Sequence, residues 1–102
     1  MNYKTLYRAK NLTFYYRLTK KSDSQIWNNV TGSLAVAVSW ANSAITMTEI
    51  ETDTGQYPIE IPTDLPAGVY GLIVYLQSGV SPADTDEIDV GEYYKHGGIF
   101  GF

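Results

Sequence analysis

Between residues 11 and 19 the side chains alternate without a break. Leu12, Phe14, Tyr16 and Leu18 fall on one side, and Asn11, Thr13, Tyr15, Arg17 and Thr19 on the other. A period of two puts the apolar set on one face of an extended chain, and a helix, whose side chains repeat every 3.6 residues, does not satisfy it. The segment is therefore predicted as a half-buried antiparallel strand. Residues 33 to 40 repeat the pattern, with Leu34, Val36, Val38 and Trp40 inward and Ser33, Ala35, Ala37 and Ser39 outward. The small outward residues predict an outer face that is covered or closely approached. Tyr57, Ile59 and Ile61 mark a further strand. Pro58 and Pro62 at alternate positions withhold N–H groups from one side of it, which suits a sheet edge or a strand end. The run 69 to 77 is apolar on both faces and reads as the most central strand. Polar or glycine-bearing turns separate short strands at 20 to 24, 31 to 32, 42 to 43, 53 to 55 and 78 to 85, and Ile88 and Val90 anchor a last one. Between Met47 and Ile50 the period slips, as a bulge requires. No helix is encoded, and about eight strands at this spacing predict an all-β sandwich or barrel.

Composition supports that reading. Val, Ile, Thr, Tyr, Phe and Trp, the residues that favour strands, make up more than a third of the chain. The 102 residues suffice for a single domain, 1–102, with one core, and with no cysteine the core is held by packing and hydrogen bonds alone. No window reaches the apolar length of a membrane span and the N-terminus lacks a signal-type apolar core, so no membrane partner is expected.

Leu65, Pro66, Ala67, Gly68, Val69 and Tyr70, placed before the apolar strand, resemble the tyrosine corner of immunoglobulin-like and fibronectin type III-like sandwiches. In those folds a tyrosine at the entry to a central strand bonds backbone near the preceding crossover, above a core leucine. Leu65, Gly68 and Tyr70 match those roles. The longer order of "IWNN", "QYPIEIPTDLPAGVYGLIVYLQSG" and "SPADTDEIDVGEYY" is similar to small Ig-like proteins encoded among the virion genes of tailed bacteriophages, over roughly residues 12 to 93. The resemblance implies an Ig-like antiparallel β-sandwich of about seven to eight strands. It also implies a non-enzymatic virion protein: a capsid decoration, head-tail or tail component that contacts other virion proteins or copies of itself. It carries over no catalytic residue and no cofactor.

The residues themselves offer little chemistry. His96 is the one histidine, and no nucleophile motif or metal-binding helix motif occurs. Asp84, Asp86 and Asp89 form the sharpest acidic cluster, read either as turn caps or as oxygen ligands for calcium, though without the spacing of an EF-hand loop. Basic N-terminal strands interleaved with tyrosines would suit nucleic acid, but the acidic remainder opposes it and no nucleic-acid partner is expected.

Two groups point to binding. Tyr93, Tyr94, Ile99, Phe100 and Phe102 crowd the C-terminus among glycines, so that 94–102 reads as an aromatic tail. Such a tail either completes its own sandwich or docks on another subunit. Trp27 and exposed tyrosines permit an alternative, a carbohydrate-binding or adhesive module for surface glycans, whereas Trp40 alternates as a core residue. The net charge of −4 is divided. Six bases precede the first acid, Asp23, and eleven acids with only Lys95 follow, giving +6 and −10. The two signs pair either within one sandwich or head to tail between copies.

Overall fold

The computed structural model describes residues 2–51 and 54–97. It is an all-β sandwich with antiparallel pairing throughout. The strands are β1 (Asn2–Tyr7), β2 (Phe14–Lys20), β3 (Ile26–Asn28), β4 (Ser33–Ala35), β5 (Ile45–Met47), β6 (Gln56–Glu60), β7 (Gly68–Leu76) and β8 (Glu87–His96), and one helical turn, α1 (Trp40–Ser43), precedes β5. β1 and β6 make a two-stranded sheet. The larger sheet runs β4-β3-β2-β7-β8, with β5 continuing along the β3 edge of β2.

The alternation of β2 determines the core. Phe14, Tyr16 and Leu18 point inward and meet Leu72 and Val74 of β7 and Tyr57 and Ile59 of β6 in one cluster between the sheets. The apolar run at 69 to 77 becomes β7, held between β2 and β8, while β2 takes the middle of the sheet. Pro58 lies in β6, whose described partner is β1 alone, so its missing N–H falls on the outer edge of a narrow sheet.

The corner forms as its residues predict. Tyr70, fully buried, donates its hydroxyl to the Pro66 carbonyl at 2.6 Å, and Leu65 is buried beneath. Gly68 has φ +154°, and a Cβ there would stand 3.1 Å from the Lys20 side chain, so glycine fits where β7 begins.

Three expectations need correction. Residues 33 to 40 are not one strand: β4 ends at Ala35, and Val36 is 81 % exposed. The two tryptophans exchange roles. Trp27 is the core residue, 2 % exposed on the inner face of β3, while Trp40 opens α1 on the outer face of the larger sheet. Leu12 is exposed because β2 begins two residues later, after Asn11 takes φ 63°. One helical turn is too short to leave a 3.6-residue signature, which is why no pattern announced α1.

The corner gives the first prediction. Tyr70→Phe removes a hydroxyl and strands a carbonyl, lowering stability by about 1 kcal/mol. Leu65→Ala empties a core position and costs about 3 kcal/mol. Urea denaturation with an unchanged slope checks both values.

Candidate interaction surface

The same alternation that fills the core sends Tyr15 and Arg17 of β2, Gly71, Ile73 and Tyr75 of β7, and Gly91 and Tyr93 of β8 to the outer face of the larger sheet. Half of that face is roofed. Trp40 of α1 sits edge-on to Tyr75 at 5.1 Å between ring centres, and Tyr75 stacks on Tyr15 at 5.2 Å. The Arg17 guanidinium lies 3.8 Å over the Trp40 ring and its Nε donates to Ser43 Oγ, so a cation and an aromatic clamp α1 onto the sheet.

The other half is open. Register sets Gly71 opposite Tyr93 and Ile73 opposite Gly91, so two positions without side chains lie diagonally between two large ones. The result is a trough of about 390 Å³ lined by Gly71, Ile73, Gly91, Glu92 and Tyr93, at the lower end of the volumes that take a ligand group or a partner's side chain. Tyr93 is 68 % exposed, and the Lys21 ammonium stands 4.9 Å from its ring centre. Arg17 borders the trough through its pairing with Ile73. Among the described residues neither Arg17 nor Lys21 is paired with a carboxylate.

A second surface element is the β7–β8 connection. Its organiser is Asp86, buried against Tyr15, which accepts from Tyr15 Oη (2.7 Å), Ala83 N (2.9 Å), Ser78 N (3.2 Å) and Ser78 Oγ (3.0 Å). The Tyr15 hydrogen bond, followed by the backbone N–H of Ala83, holds the carboxyl down to about 2. Burial, then the bond to Asp86, pushes the Tyr15 phenol up to about 12. Trp40 Nε1 donates to the same phenol oxygen at 2.8 Å, so roof and loop share one hub. The loop so fixed carries Val80 fully into solvent, 103 % exposed, with Asp84 beyond it. The acidic cluster read from the sequence is thus dispersed: Asp86 caps the loop and Asp89 pairs elsewhere. Among the described residues no three His, Cys, Asp or Glu side chains gather as a metal site would require.

Asp89 belongs to a clasp between the two sheets. Arg8, just past β1, grips it through Nε (3.0 and 3.1 Å) and Nη2 (2.7 Å), and Glu92 of β8 takes Lys4 Nζ and Tyr3 Oη, each at 2.5 Å. Burial pulls the Glu92 carboxyl upward, but the bonds from Lys4 and Tyr3 outweigh it and leave the carboxyl below its ordinary value. Part of the charge split is therefore spent inside one sandwich. Screening by salt and partial exposure limit each such pair to about 1 kcal/mol or less.

The sites expected from sequence fare differently. Tyr93 is on the open face. Tyr94 faces the core at 3 % exposure, edge-on to Tyr3, with its hydroxyl 2.6 Å from His96 Nδ1. Trp27 is buried, its Nε1 3.4 Å from Asn29 Oδ1, so a surface role for either ring is corrected: inward register on β3 and β8 consumes them. Ile99, Phe100 and Phe102 lie outside the described residues. The sequence reading missed Gly71, Gly91, Arg17 and Lys21. The signal was the pair of glycines on the outward parity of two adjacent strands, visible once their register is known. Comparisons with protein-family models, curated proteins and solved structures find no match.

The Asp86 hub predicts a specific acid limb. A carboxyl lowered from 3.8 to about 2 contributes stability that is present above pH 4 and is lost as pH falls through 2. Melting temperature followed from pH 6 to pH 2 is expected to fall across that window in the native chain. In Asp86→Asn it starts lower and falls less steeply.

Proposed function

We propose that this chain is a non-enzymatic, immunoglobulin-like sandwich that works through protein–protein contacts in a multi-copy assembly, as a structural or accessory component of a tailed-phage virion. The observation that carries the reading is the unroofed half of the outer face, where an exposed tyrosine borders a glycine-floored trough on β7 and the edge strand β8. A sheet that covers one half of its outer face with tryptophan and leaves the other half apolar and open has the form of a surface completed by a partner. The Tyr70 to Pro66 corner bond and the phage-like sequence order support the immunoglobulin-like part of the reading. Many weak contacts of this kind, repeated over a lattice, sum to a stable particle. The carbohydrate-binding alternative loses the tryptophan on which it rested, because Trp27 is in the core.

Gly71→Val is the informative variant. A Cβ at Gly71 meets only the Thr19 carbonyl oxygen at 3.8 Å, ordinary contact, so the strand accepts a side chain that fills the trough. The wild-type chain is expected to co-sediment in fixed copy number with particles purified from the phage whose genome encodes it. The folded Gly71→Val variant is expected to be lost from them. Absence of the wild-type chain from such particles overturns the reading.

A further inference from the structure

The trough carries an apolar floor beside a cation and the β7–β8 loop an exposed aliphatic side chain beside acids, and they sit on one molecule where they do not meet. Lys21, over the Tyr93 ring at the trough, has no carboxylate partner among the described residues, on a chain whose net charge is −4, while Arg17 on the roofed side is held by Trp40 and Ser43. The loop presents one fully exposed aliphatic side chain, Val80, beside the acids Asp84 and Glu87. Gly71 lies five residues back along β7 from the loop end of the strand at Leu76, about 17 Å at strand rise. Trp40, packed against Tyr75, roofs the sheet in between. A molecule therefore does not fill its own trough with its own loop.

We propose that the occupant of the trough is the 78–87 loop of a second copy, with Val80 seated on the Gly71 and Gly91 floor beside Tyr93, and Asp84 facing Lys21. The proposal rests on the assembly reading above and names its partner. Two features favour this occupant. The first is charge. Lys4 and Arg8 are already spent on Glu92 and Asp89, and Arg17 on Trp40 and Ser43, whereas Lys21, over the Tyr93 ring, is left to attract acids from outside. The second is preorganisation. The Asp86 carboxylate holds Ser78, Ala83 and Tyr15 at once, so the loop is fixed before it docks and little ordering entropy opposes binding. Because the donor loop and acceptor trough are different surfaces, the contact is heterologous. It propagates head to tail into rings or open chains instead of stopping at a two-fold dimer.

Sedimentation velocity of the full chain tests this. At about 0.02 M salt the wild-type protein is expected to form species larger than dimers as concentration rises, and to return to monomer at about 0.5 M. Lys21→Glu and Asp84→Lys alter exposed residues, so each is expected to fold normally by circular dichroism. Each is expected to raise the apparent dissociation constant about tenfold or more. The double variant Lys21→Glu with Asp84→Lys reverses both signs and restores association. A wild-type chain that stays monomeric at low salt overturns the proposal, as does a double variant no better than the singles. If the monomeric chain nevertheless co-sediments with particles and Gly71→Val does not, the assembly reading stands and the loop is not the occupant.

Discussion

Six buried or half-buried tyrosines, with their hydroxyls bonded at the margins of the core, hold this cysteine-free sandwich together. Tyr15, Tyr16, Tyr57 and Tyr70 are each fully buried as residues, and a buried phenol is tolerated only if its hydroxyl finds a partner. Each does so on a different part of the chain. Tyr16 of the larger sheet donates to the Glu60 carbonyl of the smaller one. Tyr57 donates to Ala9 O and accepts from Leu12 N in the β1–β2 connection, and Tyr70 fastens the approach to β7. Tyr15 fastens the β7–β8 loop through Asp86, and Tyr3 reaches across to Glu92. Tyr94 meets His96 within β8. Among the described residues no buried side-chain polar atom is left without a partner. One residue type thus supplies apolar volume to the core and hydrogen bonds to the connections, work that disulfides do in other small domains.

This arrangement also explains the uneven outer face. With Tyr15 and Tyr75 of adjacent strands both outward, large aromatic area would stand in water unless something covered it, and Trp40 with Arg17 does so. The cover ends where the outward residues become glycines. At Gly71 and Gly91 no side chain reaches out to hold a roof, so the sheet is left open there as a trough between Ile73 and Tyr93. The Tyr15 phenol, joined to Trp40 on one side and Asp86 on the other, couples the roof to the loop that projects Val80.

Most of the fold was legible because strand parity is a strong local signal. The inward sets of β2 and β6 follow directly from alternation at residues 14 to 18 and 57 to 61, and the apolar run at 69 to 77 marks β7 as an internal strand. The corner was legible because leucine, glycine and tyrosine stand at fixed offsets before an apolar strand. What failed was the segment after β4. Ala35, Val36, Ala37 and Val38 alternate, but their small outward partners offer too little to hold a pairing, and the chain leaves the sheet there to bring Trp40 over Tyr75. The candidate surface was less legible than the core. Tyr93 was found as an aromatic, but the trough beside it depends on the β7–β8 register, which places a glycine from each of two consecutive strands on one diagonal. The charge split was visible as composition, yet only the structure assigns Lys4 and Arg8 to Glu92 and Asp89 and leaves Arg17 and Lys21 for the outer face.

The role of the tyrosine hydroxyls is open to a single direct measurement, an alkaline titration that follows phenol absorbance and β-sheet circular dichroism together. The Tyr3 hydrogen bond to Glu92 and the burial of Tyr15 push both phenols from 10 to about 12, and burial carries Tyr16 further in the same direction. The stability they contribute is complete below pH 10 and is lost as pH rises through 12. The account predicts a late absorbance step that begins above pH 11 and coincides with loss of the sheet signal. A single absorbance step completed near pH 10, with the sheet intact, would contradict it.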